Sequence, residues 1–83
     1  MKKIVMFSAS WCNPCKQAKP VFQSLKESVS DVEFEIVDID EQQEMAKDFN
    51  ITGVPTFMLI EDNEEVKRLV GAANVTKIKQ VLL

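Results

Sequence analysis

A chain of 83 residues with 46% hydrophobic and 28% charged side chains has the composition of one soluble globular domain, residues 1–83, with no room for a second. Ten basic against thirteen acidic residues leave a net charge of −3, and between Asp31 and Asp48 eight acids face Lys47 alone, which argues against nucleic acid or anionic membrane as partners. With no histidine and two cysteines, the chain can build no Ser-His-Asp or Cys-His pair, no HExxH site and no four-ligand structural zinc.

Lys3 to Ser8 is β-branched and aromatic, a buried strand running into a Ser-Ala-Ser loop. From Pro14 to about Val29, the residues Ala18, Val21, Phe22, Leu25 and Val29 recur at helical spacing and form one apolar face. Pro20 lies inside that pattern and predicts a kink, because it removes a hydrogen bond and crowds the preceding turn. Glu33 to Ile39 alternates as a strand, with Phe34 and Ile36 on one side and Val37 and Ile39 on the other. Asp40 is the expected cap of a short helix reaching about Phe49, with Met45, Ala46 and Phe49 inward and Asn50 left-handed at its end. Thr56 to Ile60 is a fully apolar strand, Asp62-Asn63 a tight turn, and Glu65 to Val70 the returning arm of a hairpin that Gly71 ends. Asn74 caps a last helix with Val75, Ile78 and Leu82 on one side. A helical crossover makes the first two strands parallel and the hairpin is antiparallel. The predicted fold is α/β, a mixed four-stranded sheet with three helices on its two faces, in the order βαβαββα.

No segment approaches the ~18 apolar residues of a membrane span. The run Ile4 to Phe7 behind Lys2 and Lys3 is shorter than the roughly 7–15 apolar residues of a signal peptide. The expected compartment is the reducing cytoplasm, where a Cys-x-x-Cys pair is read as redox-active or metal-binding. A bridge between Cys12 and Cys15 would close so short a loop that its entropic gain is roughly 2 kcal/mol. Such a bond does little to staple a fold, so its use lies in being made and broken.

The stretch Trp11-Cys12-Asn13-Pro14-Cys15-Lys16 falls where a strand ends and a helix begins. Disulfide exchange needs a thiolate, and a free cysteine ionises only near about 8.5. A helix N-terminus offers Cys12 unpaired N–H groups and the positive end of the dipole, both of which favour the anion. Pro14 sits in the first turn, where its missing N–H costs nothing. Cys15 lies three residues before Ala18, so helical spacing turns it toward the buried stripe while Cys12 is expected at the exposed tip. That asymmetry makes Cys12 the attacking thiol and Cys15 the resolving one.

These residues resemble the thioredoxin family, whose motif Trp-Cys-Gly-Pro-Cys-Lys differs here only at Asn13. Pro20 resembles the family's helix-kinking proline, and Gly53-Val54-Pro55-Thr56 resembles the loop that carries its cis-proline. Gly71 matches the glycine after its hairpin, and Phe7 and Ala9 fit its strand approaching the site. The resemblance implies a thioredoxin fold in minimal form, lacking the extra N-terminal strand and helix of full-length thioredoxins, and in size nearer to glutaredoxin. It implies a monomeric thiol–disulfide oxidoreductase, a protein-disulfide reductase and electron carrier with no metal or cofactor beyond the Cys12–Cys15 pair. Its implied partners are disulfide-containing proteins, ribonucleotide reductase among them, with thioredoxin reductase or glutathione as electron donor. Asn13 and Pro14 would tune the sulfurs, Val54–Pro55 would be cis against them, and the Val54 backbone would pair with a substrate strand. Trp11 would be an apolar wall beside Cys12, and together with Ile51, Thr52, Val54 and Ala72 would form the docking surface.

Two departures bear on mechanism. Family members commonly bury an aspartate six residues before the first cysteine, and here that position is Met6; its lysine partner aligns with Ile36. The expected pair is therefore buried and apolar, and Cys15 must lose its proton through water or through Cys12. Asn13 replaces a glycine, and its amide could donate to the thiolate or face solvent.

Three other readings compete. A glutaredoxin-like, glutathione-dependent reductase would want a second glycine and an acid where this chain has Gly71-Ala72-Ala73-Asn74. A Cu(I) chaperone shares the Cys-x-x-Cys after a first strand but has no need of Trp11, Pro14 or the Val54-Pro55 loop. A non-catalytic binding module has no need of two cysteines.

Overall fold

The computed structural model describes residues 1–83. Its elements follow the expected order: β1 (Lys2–Ser8), α1 (Asn13–Ser28), β2 (Glu33–Asp38), α2 (Gln43–Asp48), β3 (Thr56–Glu61), β4 (Glu64–Val70) and α3 (Val75–Leu82). The four strands form one sheet in the order β2-β1-β3-β4. β1 and β2 are parallel, with Ser8 opposite Asp38, and β3 runs antiparallel to β1, with Thr56 opposite Phe7. This register brings three chain segments to one end of the sheet: the exit of β1, the exit of β2 and the entry to β3. Open α/β sheets place their sites at such a point, outside the carboxyl end of a strand where the order reverses.

Pleating divides the core between two faces. Ile4 and Met6 of β1, with Phe57 and Leu59 of β3, pack against Ala18, Phe22 and Leu25 of α1 and Ile78 and Leu82 of α3. Val5, Phe7, Val37, Met58 and Ile60 form the opposite layer, covered by Ile39, Met45, Phe49, Ile51 and Val54. α1 and α3 thus lie on one face and α2 on the other, which gives the sheet helices on both faces as expected. α1 is continuous across Pro20, which sits on its exposed side. Asn74 caps α3, its Oδ1 accepting the Lys77 N–H at 2.8 Å. No helix is long and apolar enough to cross a membrane.

The start of α2 differs from expectation. Asp40 is not its cap: the helix begins at Gln43, and Gln42 makes no side-chain cap. Asp38 serves the turn instead, its Oδ1 accepting the N–H groups of Asp40 and Glu41 at 2.8 and 3.3 Å. It is the carboxylate at the end of β2, nearest the loose amides, and it closes an Asx turn. The far end of α2 does follow the sequence. Asn50 is left-handed at φ 52°, with Asn50 N–H bonded to Lys47 O at 3.1 Å and Ile51 N–H to Ala46 O at 2.9 Å. That is the Schellman arrangement.

The hairpin turn uses Asp62 and Asn63 at φ 52° and 69°, the mirror-image geometry that two-residue hairpins favour. β4 then carries a bulge: Lys67 pairs with Leu59 and Glu65 with Ile60, leaving Val66 between them unpaired. In a regular strand, residues three apart point to opposite faces; the extra residue puts Glu65 and Arg68 on the same one. They meet as a two-pronged pair, Nε to Oε2 at 2.6 Å and Nη2 to Oε1 at 2.7 Å. These hydrogen bonds hold the Glu65 carboxyl below its ordinary value of 4.5. A carboxylate depressed in the folded state contributes stability above its unfolded pKa and loses it as pH falls through the folded one. Glu65→Gln is therefore expected to lower the melting temperature at pH 7, with the gap from wild type closing below about pH 4.5. A gap that stayed constant across an acid titration followed by circular dichroism would contradict this origin.

Candidate active site

Cys12 is the N-cap of α1, at φ −92° and ψ 108°, and Cys15 is the third helical residue. The two are joined as a disulfide with Cα atoms 5.2 Å apart. The Cys15 N–H donates to Cys12 Sγ at 3.2 Å, so the sulfur occupies the place that a serine or aspartate oxygen takes in an ordinary cap. The first turn of α1 holds no acidic residue. When the bond is reduced and Cys12 ionises, that N–H becomes a charge-assisted donor, and the helix dipole adds to it. Asn13 and Pro14 occupy the first two helical positions and are exposed, and the Asn13 amide makes no hydrogen bond within the protein.

Burial corrects one expectation. Cys15 is fully buried as predicted, but Cys12 is not at an open tip: only 5% of it is exposed. It is covered from across the sheet, because Val54 O lies 3.6 Å from Cys12 Sγ, and Ala9, Ile39 and Val54 pack around the two sulfurs. A substrate chain that reaches Cys12 therefore passes beside the Val54 segment.

That segment is built by long-range contacts. The Val54–Pro55 bond is cis and Pro55 is buried. Gly71, at φ 98°, a conformation that side chains disfavour, donates its N–H to Pro55 O at 2.8 Å. The Thr56 hydroxyl donates to Gly53 O and closes the turn from the other side. Val54 itself makes no main-chain hydrogen bond.

Trp11, the chain neighbour of Cys12, stands at the surface. The residue is 66% exposed, and its Nε1–H donates to Asp40 Oδ2 at 2.9 Å. An indole N–H seeks an acceptor, and the Asp40 carboxylate supplies it from the β2–α2 loop. The wall beside the sulfurs is Ala9, Ile39 and Val54. Ile39 and Asp40 are the site-lining residues that sequence reasoning did not assign. The signal for them was the parallel register, which sets Ile39 N–H on Ser8 O at 2.9 Å. Of the expected docking residues, Trp11, Thr52 and Ala72 are exposed and Val54 is half-buried. Ile51 instead turns toward the Phe7 layer.

Met6 is fully buried, and Ile36 is its register partner. The pair is not buried together: Ile36 is 45% exposed, because β2 is the edge strand. The only buried polar residues are Ser8 and Thr56, so no carboxylate or amine shares the interior with Cys15. A cavity of about 650 Å³ lies at the other end of the sheet, between Met45, Phe49, Ile60 and Asp62, away from the cysteines. No group of three or more His, Cys, Asp or Glu side chains is arranged to hold a metal ion.

Comparison with known proteins gives a consistent result. The thioredoxin family profile matches residues 1–83. Thioredoxin H2 of Arabidopsis thaliana is 42% identical over 69 residues, 83% of this chain and 52% of the plant protein. The thioredoxin of Mycoplasma genitalium is 41% identical over 75 residues, 90% of this chain and 74% of its own. Among solved structures, Schistosoma mansoni thioredoxin superposes with a TM-score of 0.89 at 38% identity, covering 98% of this chain and 73% of that one. The chain spans about half the length of the plant relatives it matches.

Proposed function

The chain belongs to the thioredoxin family, and from that premise we propose that it is a thiol–disulfide oxidoreductase that reduces disulfides in proteins. The observation that carries this reading is Cys12 Sγ at the N-cap of α1, receiving the Cys15 N–H beside an unpaired stretch of backbone at Val54. In the reduced protein, the Cys12 thiolate attacks one sulfur of a substrate disulfide, and the other sulfur leaves as a thiolate. Cys15, losing its proton, then attacks Cys12 Sγ. The first substrate sulfur departs, two electrons have passed to the substrate, and the Cys12–Cys15 disulfide remains. A substrate strand laid along Val54 would pair with its free N–H and hold the scissile disulfide over Cys12.

The finer assignments belong to the same proposal: a thioredoxin reductase as donor, ribonucleotide reductase among the acceptors, and a reducing cytoplasmic setting. Supporting that donor are the thioredoxins among the relatives and the Gly71-Ala72-Ala73-Asn74 loop, which lacks the glycine and acid a glutathione site would use. The test is insulin reduction with NADPH and thioredoxin reductase, set against glutathione with glutathione reductase. Turnover in the first system and not in the second is expected; the reverse would reassign the donor, and turnover in neither would overturn the reading.

A further inference from the structure

Between Glu41 and Gly53, the chain makes hydrogen bonds only to its own neighbourhood, residues 38–56, with one exception, which is Arg68. No residue of α2 is fully buried, and the stretch rests on the sheet through the half-buried Met45, Phe49 and Ile51. Its far end leads directly into Gly53, Val54 and Pro55. The Schellman turn satisfies the carbonyls of Ala46 and Lys47 but leaves those of Phe49 and Asn50 without a main-chain donor. Arg68 takes both: Nη2–H donates to Phe49 O, and Nη1–H to Asn50 O at 3.2 Å. The guanidinium is itself fixed by Glu65, a meeting that the bulge at Val66 makes geometrically available. Phe49, so held, sets its ring against Phe7 of β1, centroids 6.1 Å apart.

We propose that Arg68 is a positioning residue for disulfide reduction: its planar fork ties the α2–β3 connection to the edge strand and so holds the Val54 backbone where a substrate strand must dock. The proposal rests on the oxidoreductase reading above. Arg68 touches neither sulfur nor substrate and acts through the loop. Lysine is a poor replacement, since one ammonium cannot span two carbonyls and a carboxylate with the same planar geometry. The function affected is docking, because the Cys12 cap at the start of α1 does not depend on this clamp.

The test is single-turnover oxidation of pre-reduced protein by two probes: excess insulin, which must lie along Val54, and 5,5′-dithiobis(2-nitrobenzoate), a small disulfide that need not. For Arg68→Met, the half-saturating insulin concentration is expected to rise roughly tenfold, with the limiting rate and the small-disulfide rate within about twofold of wild type. Arg68→Lys should lie nearer to Arg68→Met than to wild type, and amide exchange at Asn50 and Ile51 should accelerate without change in α1. Should Arg68→Met fail to fold, Glu65→Gln, which frees the guanidinium without removing it, is expected to raise the half-saturating concentration about threefold. An unchanged insulin dependence, a parallel loss with the small disulfide, or full rescue by lysine overturns the proposal. Wild-type protein that does not reduce insulin at all would instead overturn the oxidoreductase reading.

Discussion

Cys15→Ser protein, reduced and mixed with a disulfide-containing substrate, is expected to stop at a mixed disulfide through Cys12 that survives non-reducing electrophoresis. Cys12→Ser should form no such adduct and should lose insulin reduction by at least about a thousandfold. The asymmetry follows from placement rather than from the cysteines as such. Cys12 Sγ receives the Cys15 N–H at the helix start, and the residue keeps 5% exposure to solvent, whereas Cys15 has none. A sulfur without access cannot meet an external disulfide but can reach its neighbour, one helical turn away. Adducts forming equally through Cys15, or insulin reduction persisting in Cys12→Ser, would reverse these roles. The same trapped species, recovered from cells and identified by mass, would name the acceptors directly.

The second large effect is expected from Met6→Asp. Met6 is fully buried on the face of β1 that packs against α1, in the layer that includes Ala18, one turn beyond Cys15. Replacing it removes apolar contacts and buries a carboxyl group, together worth about 2–5 kcal/mol. That is a large share of the roughly 4–12 kcal/mol that a domain of this size commands. Burial also raises a carboxyl pKa, which poises the new group to accept a proton near neutrality. The wild-type interior offers Cys15 no such base, since its only buried polar residues are Ser8 and Thr56. Resolution of the mixed disulfide below pH 8 is therefore expected to accelerate by about tenfold or more in Met6→Asp, while Met6→Asn, equal in size but unable to ionise, pays the stability cost alone. Rapid-mixing traces identical for the two folded variants would show that Cys15 is not limited by proton removal.

The order of elements, the faces of α1 and α3, the Asn74 cap, the left-handed Asn50 and the Asp62-Asn63 turn were all legible before any coordinates. Each depends on groups within a few residues of one another: apolar side chains at helical spacing, an oxygen next to free amides, or residues tolerant of positive φ. The same holds for the core of the candidate site. Cys12 at a helix start and Cys15 turned inward need only one strand end and one helix turn to be correct.

The misreadings share a different cause. Asp40 satisfies the local pattern of a cap, yet the Trp11 indole, from a separate loop, takes its carboxylate, and Asp38 closes the turn instead. Ile36 alternates correctly with Glu35, but its position on the edge strand leaves it exposed beside a buried Met6.

The amino-acid order alone thus determines which sulfur heads the helix and which helix faces meet the sheet, because caps, spacings and turns act over one or two helical turns. Only the tertiary structure decides how far Cys12 is covered and what holds the covering loop. Val54 reaches Cys12 across forty-two positions, through the register of β3 on β1. Arg68 reaches Phe49 and Asn50 only because an unpaired Val66 shifts the alternation of β4. Such contacts depend on strand register and on a bulge, and neither is written in the residues that make the contact.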